Sequence, residues 1–322
     1  MSEMMPAIVV LAHKRLDHLD KTLAALKQAR GFDRYRLIVV VDGADPKVVG
    51  LAESRAAPDF ILSIRDRAFM APEARINAAL RSALGLAFDG LSASHVVVVE
   101  DDIVVSRDFL SFVEQSHRQF SRNKHYRGVN GFSAVTLPPG ISRPSAQVVK
   151  LNYGLGWGWS ITAPIYRKIV HYWPPQREKL DWDVAVEPFI RTGFVINPIV
   201  SRIRNIGFDS SAVHTNGEPS RELGRKIDRS FSQNDESAGS LQIPLSISKV
   251  PFSWRRDCVN IVLLEPVGRL IFIWANRMDA LAYQIQLSDN ALVRHFAGKV
   301  RTFLRESVLE RFFFKAQYVG RL

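Results

Sequence analysis

Three acids stand in a row, Glu100, Asp101 and Asp102, directly after the apolar run HVVVV at 95–99. Carboxylates packed this closely repel one another unless a cation or hydrogen-bond donors join them. Hard divalent ions such as magnesium and manganese prefer oxygen ligands, and a bound ion can bridge a diphosphate and offset the charge of a departing phosphate. Ligands of open α/β sheets gather beyond the carboxyl ends of strands, where this run would sit. The other reading is a solvated acidic turn that caps the next helix. Asp42 closes an earlier apolar run, RLIVVVD, so it is expected at the same edge. An Asp-Gly pair also makes turns without any further role.

The elements that must position these acids follow from periodicity. AIVVLA at 7–12 reads as a buried strand. LDHLDKTLAALKQA at 16–29 has leucines at 16, 19, 23 and 26, the spacing of an amphipathic helix. RLIVVVDGADP (36–46) and DFILSIRD (59–66) read as strands. Residues 71–90 read as a helix with Pro72 in its first turn and Gly90 at its end. The acid-bearing strand follows, then a helix over 106–120 with Ser106 as its N-cap. Strand and helix alternate, and the strands are continuously apolar. Together these predict an α/β fold with a mostly parallel sheet flanked by helices. Residues 128–150 read as loops with short strands. Residues 153–170 pass from a glycine-aromatic loop into a helix, a second helix starts within 179–193, and 194–207 hold a strand pair or a strand and loop. Residues 216–242 are polar and loop-like.

The 322 residues allow one large domain with an appendage, with boundaries expected at 1–245 and 246–322. The single cysteine, Cys258, excludes an internal disulfide framework. The first apolar run is short and has no basic start, so it reads as a strand and not a signal peptide. Net charge is +11, and residues 241–322 contribute 12 Lys/Arg against 6 Asp/Glu. The chain shows no zinc-finger, RRM or KH signature, so nucleic acid is not expected as a partner. IVLLEPVGRLIFIWA (261–275) is interrupted by Glu265, Pro266 and Arg269 and is too short to span a bilayer. Residues 288–315 form a basic amphipathic pattern, with apolar positions at 293, 296, 300, 303, 304 and 308. Such a helix lies on an anionic membrane surface or packs in a core or homodimer interface.

In order along the chain, AIVVLAHKR, RLIVVVDGADP, VVVVEDDIVVSRDFL, YGLGWGWSITAPIYRKI, LDWDVAVEPFIR and VSRIRNIGFDSSAVHT resemble the motifs of GT-A fold glycosyltransferases. The set is similar to N-acetylglucosaminyltransferase I and to bacterial family 2-like enzymes, and it covers roughly residues 6 to 217. The resemblance implies a Rossmann-like sheet and a metal-dependent, inverting transfer of a sugar from a nucleotide-diphosphate donor, UDP-linked, to a glycan hydroxyl. Mn2+ or Mg2+ would be the cofactor, held by Asp102 and by the late His214. Asp101 would face the ribose, Glu100 the donor pocket, and Asp42 the nucleoside. Arg15 would lie near the nucleotide. Arg75 and Asn77 would contact the donor where the Golgi enzyme has a histidine. Asp183, after Trp182, would be the general base, with Asp181 as its rival, because this chain reads Asp181-Trp182-Asp183. Trp157 and Trp182 would offer flat faces to a sugar ring. The loop Gly154-Leu155-Gly156 would let backbone approach the ligand. Joined to the basic C-terminal region, this reading gives an expected setting, synthesis of a cell-surface or lipid-linked glycan by a cytoplasmic protein peripheral to the inner membrane. Two other readings stay open. One is an inactive glycan- or nucleotide-binding scaffold of the same fold. The other is a sugar nucleotidyltransferase, which usually has glycine where AIVVLAHKRLDHL has none.

Overall fold

The computed structural model describes residues 4–64, 71–133, 148–151, 155–173, 186, 189–198, 200–207 and 299. Its centre is an eight-stranded sheet in the order β3-β2-β1-β4-β8-β6-β9-β7. The strands are β1 (Ala7–Ala12), β2 (Arg36–Asp42), β3 (Phe60–Ile64), β4 (His95–Glu100), β6 (Tyr126–Asn130), β7 (Val148–Leu151), β8 (Trp159–Thr162) and β9 (Phe194–Pro198). Four of the seven pairings are parallel, β3-β2, β2-β1, β1-β4 and β6-β9. β8 inserts antiparallel between β4 and β6, and β7 lies antiparallel to β9 at the sheet's edge. The mostly parallel α/β sheet expected from the strand and helix pattern is therefore present. Ala7, Ile8, Val9 and Val10 are all fully buried. Consecutive side chains point to opposite faces, so both faces of β1 are covered.

The helices are α1 (Leu16–Gln28), α2 (Pro46–Ala56), α3 (Pro72–Gly85), α4 (Phe109–Phe120) and α5 (Ala163–Ile169). The α1 stripe buries Leu19, Leu23 and Leu26, and it packs against α2. α2 has no counterpart in the periodicity reading. It is a short helix set by local signals, with Pro46 in its first turn and the Asp45 carboxylate accepting from Lys47 N–H at 2.8 Å. The expected helix over 71–90 is α3 followed by a wide turn at Leu86–Gly90.

The acids stand at a strand end, as expected. β4 ends at Glu100, the chain turns at Asp101–Asp102, and Ile103–Val105 forms β5, which pairs antiparallel with β10 (Ile203–Asn205) outside the main sheet. One expectation nearby is corrected: Ser106 does not cap α4, for Asp108 is the residue that precedes the helix. The Ser106 hydroxyl instead donates to Asp108 Oδ1 at 2.6 Å. The other Asp108 oxygen accepts from Arg202 Nε at 3.2 Å, a buried ion pair that joins the start of α4 to the segment before β10. Arg202 also lies over the Phe112 ring, 5.1 Å from its centroid.

Residues 194–207 supply a strand to each sheet, the strand-pair alternative, although β9 and β10 do not pair with each other. Among the described residues, no helix is long and apolar enough to cross a membrane. The basic amphipathic stretch at 288–315 lies outside the described residues except Lys299.

Candidate functional site

Parallel pairing of β2, β1 and β4 sets their carboxyl ends side by side. Val41 is level with Ala12, and Leu11 with Glu100. Just past these ends come Asp42, His13 and Asp101 in lateral order. Gly43, at φ +91°, turns the chain sharply away after Asp42 and packs beside the His13 ring. His13 N–H donates to Asp101 Oδ2 at 3.3 Å. Thr22, fully buried on α1, donates its hydroxyl to the Asp101 carbonyl at 2.8 Å.

The two aspartates are 3% and 5% exposed, whereas Glu100 faces solvent. A solvated acidic turn therefore does not describe Asp101 and Asp102. Arg15, the residue just before α1, is what lets them be buried. One guanidinium nitrogen is paired with Asp101 Oδ1, and Nη1 lies 3.0 Å from Asp102 Oδ2. Burial pushes the Asp102 carboxyl above its ordinary range; Arg15 opposes the shift and Asp101 adds to it. Burial also disfavours the Arg15 charge, but Asp102 and then Asp101 outweigh it, and its pKa is raised. Asp102 Oδ1 is left buried without a hydrogen-bond partner.

The far wall comes from β10. Ile206 N–H donates to the Asp102 carbonyl at 2.8 Å, and Gly207 N–H to Asn205 Oδ1 at 2.7 Å. Gly207 backbone lies so close that a Cβ there would strike the Asp102 carboxylate and sit 2.9 Å from Arg15 Nη1. Thr22 and Gly207 are absent from the sequence reading of the site. Thr22 had a signal, a polar residue on the buried face of α1. Gly207 had none, because its closeness to Asp102 is a tertiary fact.

α3 brings Arg75 to this edge and buries Asn77. Arg75 Nε is 3.8 Å from Asp42 Oδ2, an ion pair too long for a hydrogen bond. Asn77 is 1% exposed, and neither its amide oxygen nor its nitrogen has a hydrogen-bond partner.

The Leu155–Trp157 loop reaches the same edge. β8 runs antiparallel to β4 with Trp159 opposite Val98, which carries the preceding Trp157 toward the level of Glu100. Gly156 N–H donates to Asn130 Oδ1 at 2.9 Å, and a Cβ on Gly156 would strike the Phe132 ring. The loop's missing side chain is thus used for internal packing. Trp157 is half-buried and meets Phe132 edge-on, with centroids 5.9 Å apart; Leu155 is in the core.

The structure therefore gathers Arg15, Asp42, Arg75, Glu100, Asp101, Asp102 and the 155–157 loop at one sheet edge, and it buries Asn77 in α3 two residues beyond Arg75. Asp183, its rival Asp181, Trp182, Gly154 and His214 lie outside the described residues. Among the described residues no group of three His, Cys, Asp or Glu side chains is placed to hold a metal ion. What they do supply is one buried, unpartnered carboxylate oxygen, on Asp102. That suits a hard cation as a single protein ligand.

Comparison with known proteins gives three findings. No family model matches the chain. The chain is 22% identical over 260 residues to the Arabidopsis thaliana alpha-1,3-mannosyl-glycoprotein 2-beta-N-acetylglucosaminyltransferase; the match covers 77% of this chain and 53% of the relative. The chain thus spans about half the length of the curated relative it matches. Solved structures with a similar course include S. aureus TarS 1-349 (TM-score 0.43, 10% identity, 94% of this chain and 91% of that one). The same fragment in complex with UDP gives TM-score 0.44 and 11% identity, covering 94% and 92%. The motif order and the curated relative point to one class, glycosyltransferases with a GT-A fold, and the sheet fits it.

Proposed function

We propose that this chain is a glycosyltransferase that moves a sugar from a nucleotide-diphosphate donor, a UDP-sugar, to a glycan hydroxyl with inversion at the anomeric carbon. The observation that carries the reading is the edge itself. Three adjacent strand ends and the start of α3 bring two cations and the buried Asp101 and Asp102 to one place, and Asp102 Oδ1 there lacks a partner. Orphaned buried polar atoms cost about 1–3 kcal/mol each, so they are kept where a ligand completes them.

Asp102 Oδ1 would hold the divalent cation, Mn2+ or Mg2+, with His214 as a second protein ligand. When bound, the ion offsets charge that builds on the leaving diphosphate. Asp42 and Arg75 would contact the nucleoside end, Asn77 the donor, and Arg15 a phosphate oxygen. Trp157 and Trp182 would face the sugars. Asp183 is proposed as the base. It takes the proton of the acceptor hydroxyl as that oxygen bonds to the anomeric carbon, and the bond from that carbon to the diphosphate oxygen breaks. We place the acceptor among cell-surface or lipid-linked glycans. The basic 246–322 region would dock on the anionic inner face of a membrane, a location that fractionation with and without residues 251–322 tests; an unchanged distribution removes it.

A thermal-shift screen of UDP-, GDP- and CDP-sugars, each with and without manganese, tests the core of the proposal. A true donor at about 100 times its Kd stabilises the fold by roughly 2.7 kcal/mol. The expected result is a shift with a UDP-sugar that needs manganese. No shift with any donor overturns the reading.

A further inference from the structure

We propose that Arg15 is a resident counter-cation of the Asp101–Asp102 pair that gives way to a divalent ion only as a nucleotide diphosphate arrives, so that ion and nucleotide bind as a coupled pair. The inference rests on the glycosyltransferase reading, in which donor binding already needs the ion, and adds Arg15 as the group that holds the acids until both arrive.

The first support is charge. Arg15 reaches both acids with separate guanidinium nitrogens, so one positive charge is already shared between the two carboxylates. A dication entering beside the guanidinium meets a like charge a few ångströms away. The second is asymmetry. Asp101 has other anchors, the His13 N–H on its carboxylate and the Thr22 hydroxyl on its carbonyl. Asp102 has Arg15 on one oxygen and no hydrogen-bond partner on the buried other. Withdrawing Arg15 leaves Asp101 held and Asp102 open, which makes Asp102 the receiving ligand. The third is direction. Gly207 backbone walls the Arg15–Asp102 bridge on one side, while the Arg15 side chain is still 23% exposed. A polyanion can therefore meet the guanidinium from solvent. Arg15 trades a carboxylate for a phosphate oxygen, both of which suit its planar donor fork.

Coupling of this kind is reciprocal: if nucleotide tightens the ion, the ion tightens nucleotide by the same factor. The test is calorimetric titration of Mn2+ into the full chain, with and without saturating UDP, for wild type, Arg15→Gln and Arg15→Lys. In the wild type, UDP should tighten Mn2+ by about tenfold or more, within the usual range of coupling energies. Arg15→Gln should bind Mn2+ alone about tenfold tighter than wild type, bind UDP alone more weakly, and lose most of the enhancement. Mn2+ should also raise its melting temperature more than that of wild type. Arg15→Lys keeps the charge but not the fork, so its Mn2+ affinity and enhancement should fall between the two. It stands in if the glutamine variant does not fold.

The inference is overturned if folded Arg15→Gln takes up Mn2+ no more tightly than wild type, or keeps the full enhancement by UDP. It is likewise overturned if folded Arg15→Lys matches wild type in both. If wild type couples Mn2+ and UDP but folded Arg15→Gln couples them equally, this inference alone fails; if wild type binds the two independently, the manganese requirement of the donor reading fails with it. If it binds neither, the glycosyltransferase reading fails with it.

Discussion

The two ends of β4 bury polar groups in opposite ways. At its start, His95 stands 3.1 Å from the Tyr35 hydroxyl and 3.2 Å from Ser94 Oγ. Next to it His117, 4.8 Å away between ring centroids, is bonded through Nε2 to Ser160 Oγ and through Nδ1 to the Tyr126 hydroxyl, each at 2.8 Å. Both nitrogens of both rings have partners. At its other end, Asp102 Oδ1 has none. A satisfied network holds a fold in one arrangement, and a buried polar atom without a protein partner calls for one from outside the chain, a ligand, an ion or water. Burial alone does not tell the two apart, since both are almost fully enclosed. Pairing does.

Removing the Asp102 carboxylate gives the largest effect expected from this contrast. Asp102→Ala should cost on the order of 10²–10³ in kcat for UDP-sugar turnover, the scale of losing one charge-stabilising group. Its melting temperature should change little, because an enclosed anion and its desolvation are lost together. Loss of folding instead would place Asp102 with the structural network.

The histidine end responds to acid. Burial lowers the His95 pKa to about 4 and holds His117 well below its ordinary value. The unfolded chain therefore takes up protons near pH 6.5 that the folded chain refuses. The contribution is complete above that pH and is lost as pH falls toward 4, by about 3 kcal/mol for His95 alone. Urea midpoints measured at pH 7, 5.5 and 4.5 check this, and the decline should be shallower in His95→Gln. Cutting the network itself comes next. His117→Ala should destabilise by about 2–3 kcal/mol, since it leaves the Ser160 and Tyr126 hydroxyls unpaired. Turnover per folded molecule should be unchanged.

The smallest effect has the sharpest sign. Asn77→Leu replaces two unpartnered polar atoms with apolar ones of similar shape. Stability should hold or rise by about 1 kcal/mol while UDP affinity falls. A destabilised variant with normal UDP affinity would make Asn77 a structural residue.

Much of this contrast was legible in the residues. The runs AIVVLA, RLIVVVD and HVVVVE predict three neighbouring buried strands, and their ends place Asp42 and the acids together. Local rules suffice there, because parallel strands buried on both faces admit only apolar residues. The break between β4 and β5 was not legible, because IVV at 103–105 continues the apolar pattern, and only its pairing with 203–205 shows that it leaves the sheet. Ser106 failed as a cap for a similar reason. Its hydroxyl goes to Asp108, which the distant Arg202 has already engaged. Residues whose roles are fixed by partners far along the chain leave no local mark.

The β5–β10 pairing also sets an order of events. Val105 waits for Ile203, so roughly a hundred residues must be made before the acidic turn receives its second wall. Until then a growing polypeptide carries two carboxylates and an arginine on an open rim. Completion of this pocket is thus a late step of maturation, and damage to the strand at 203–205 would produce a protein whose main sheet is sound but whose chemistry never closes.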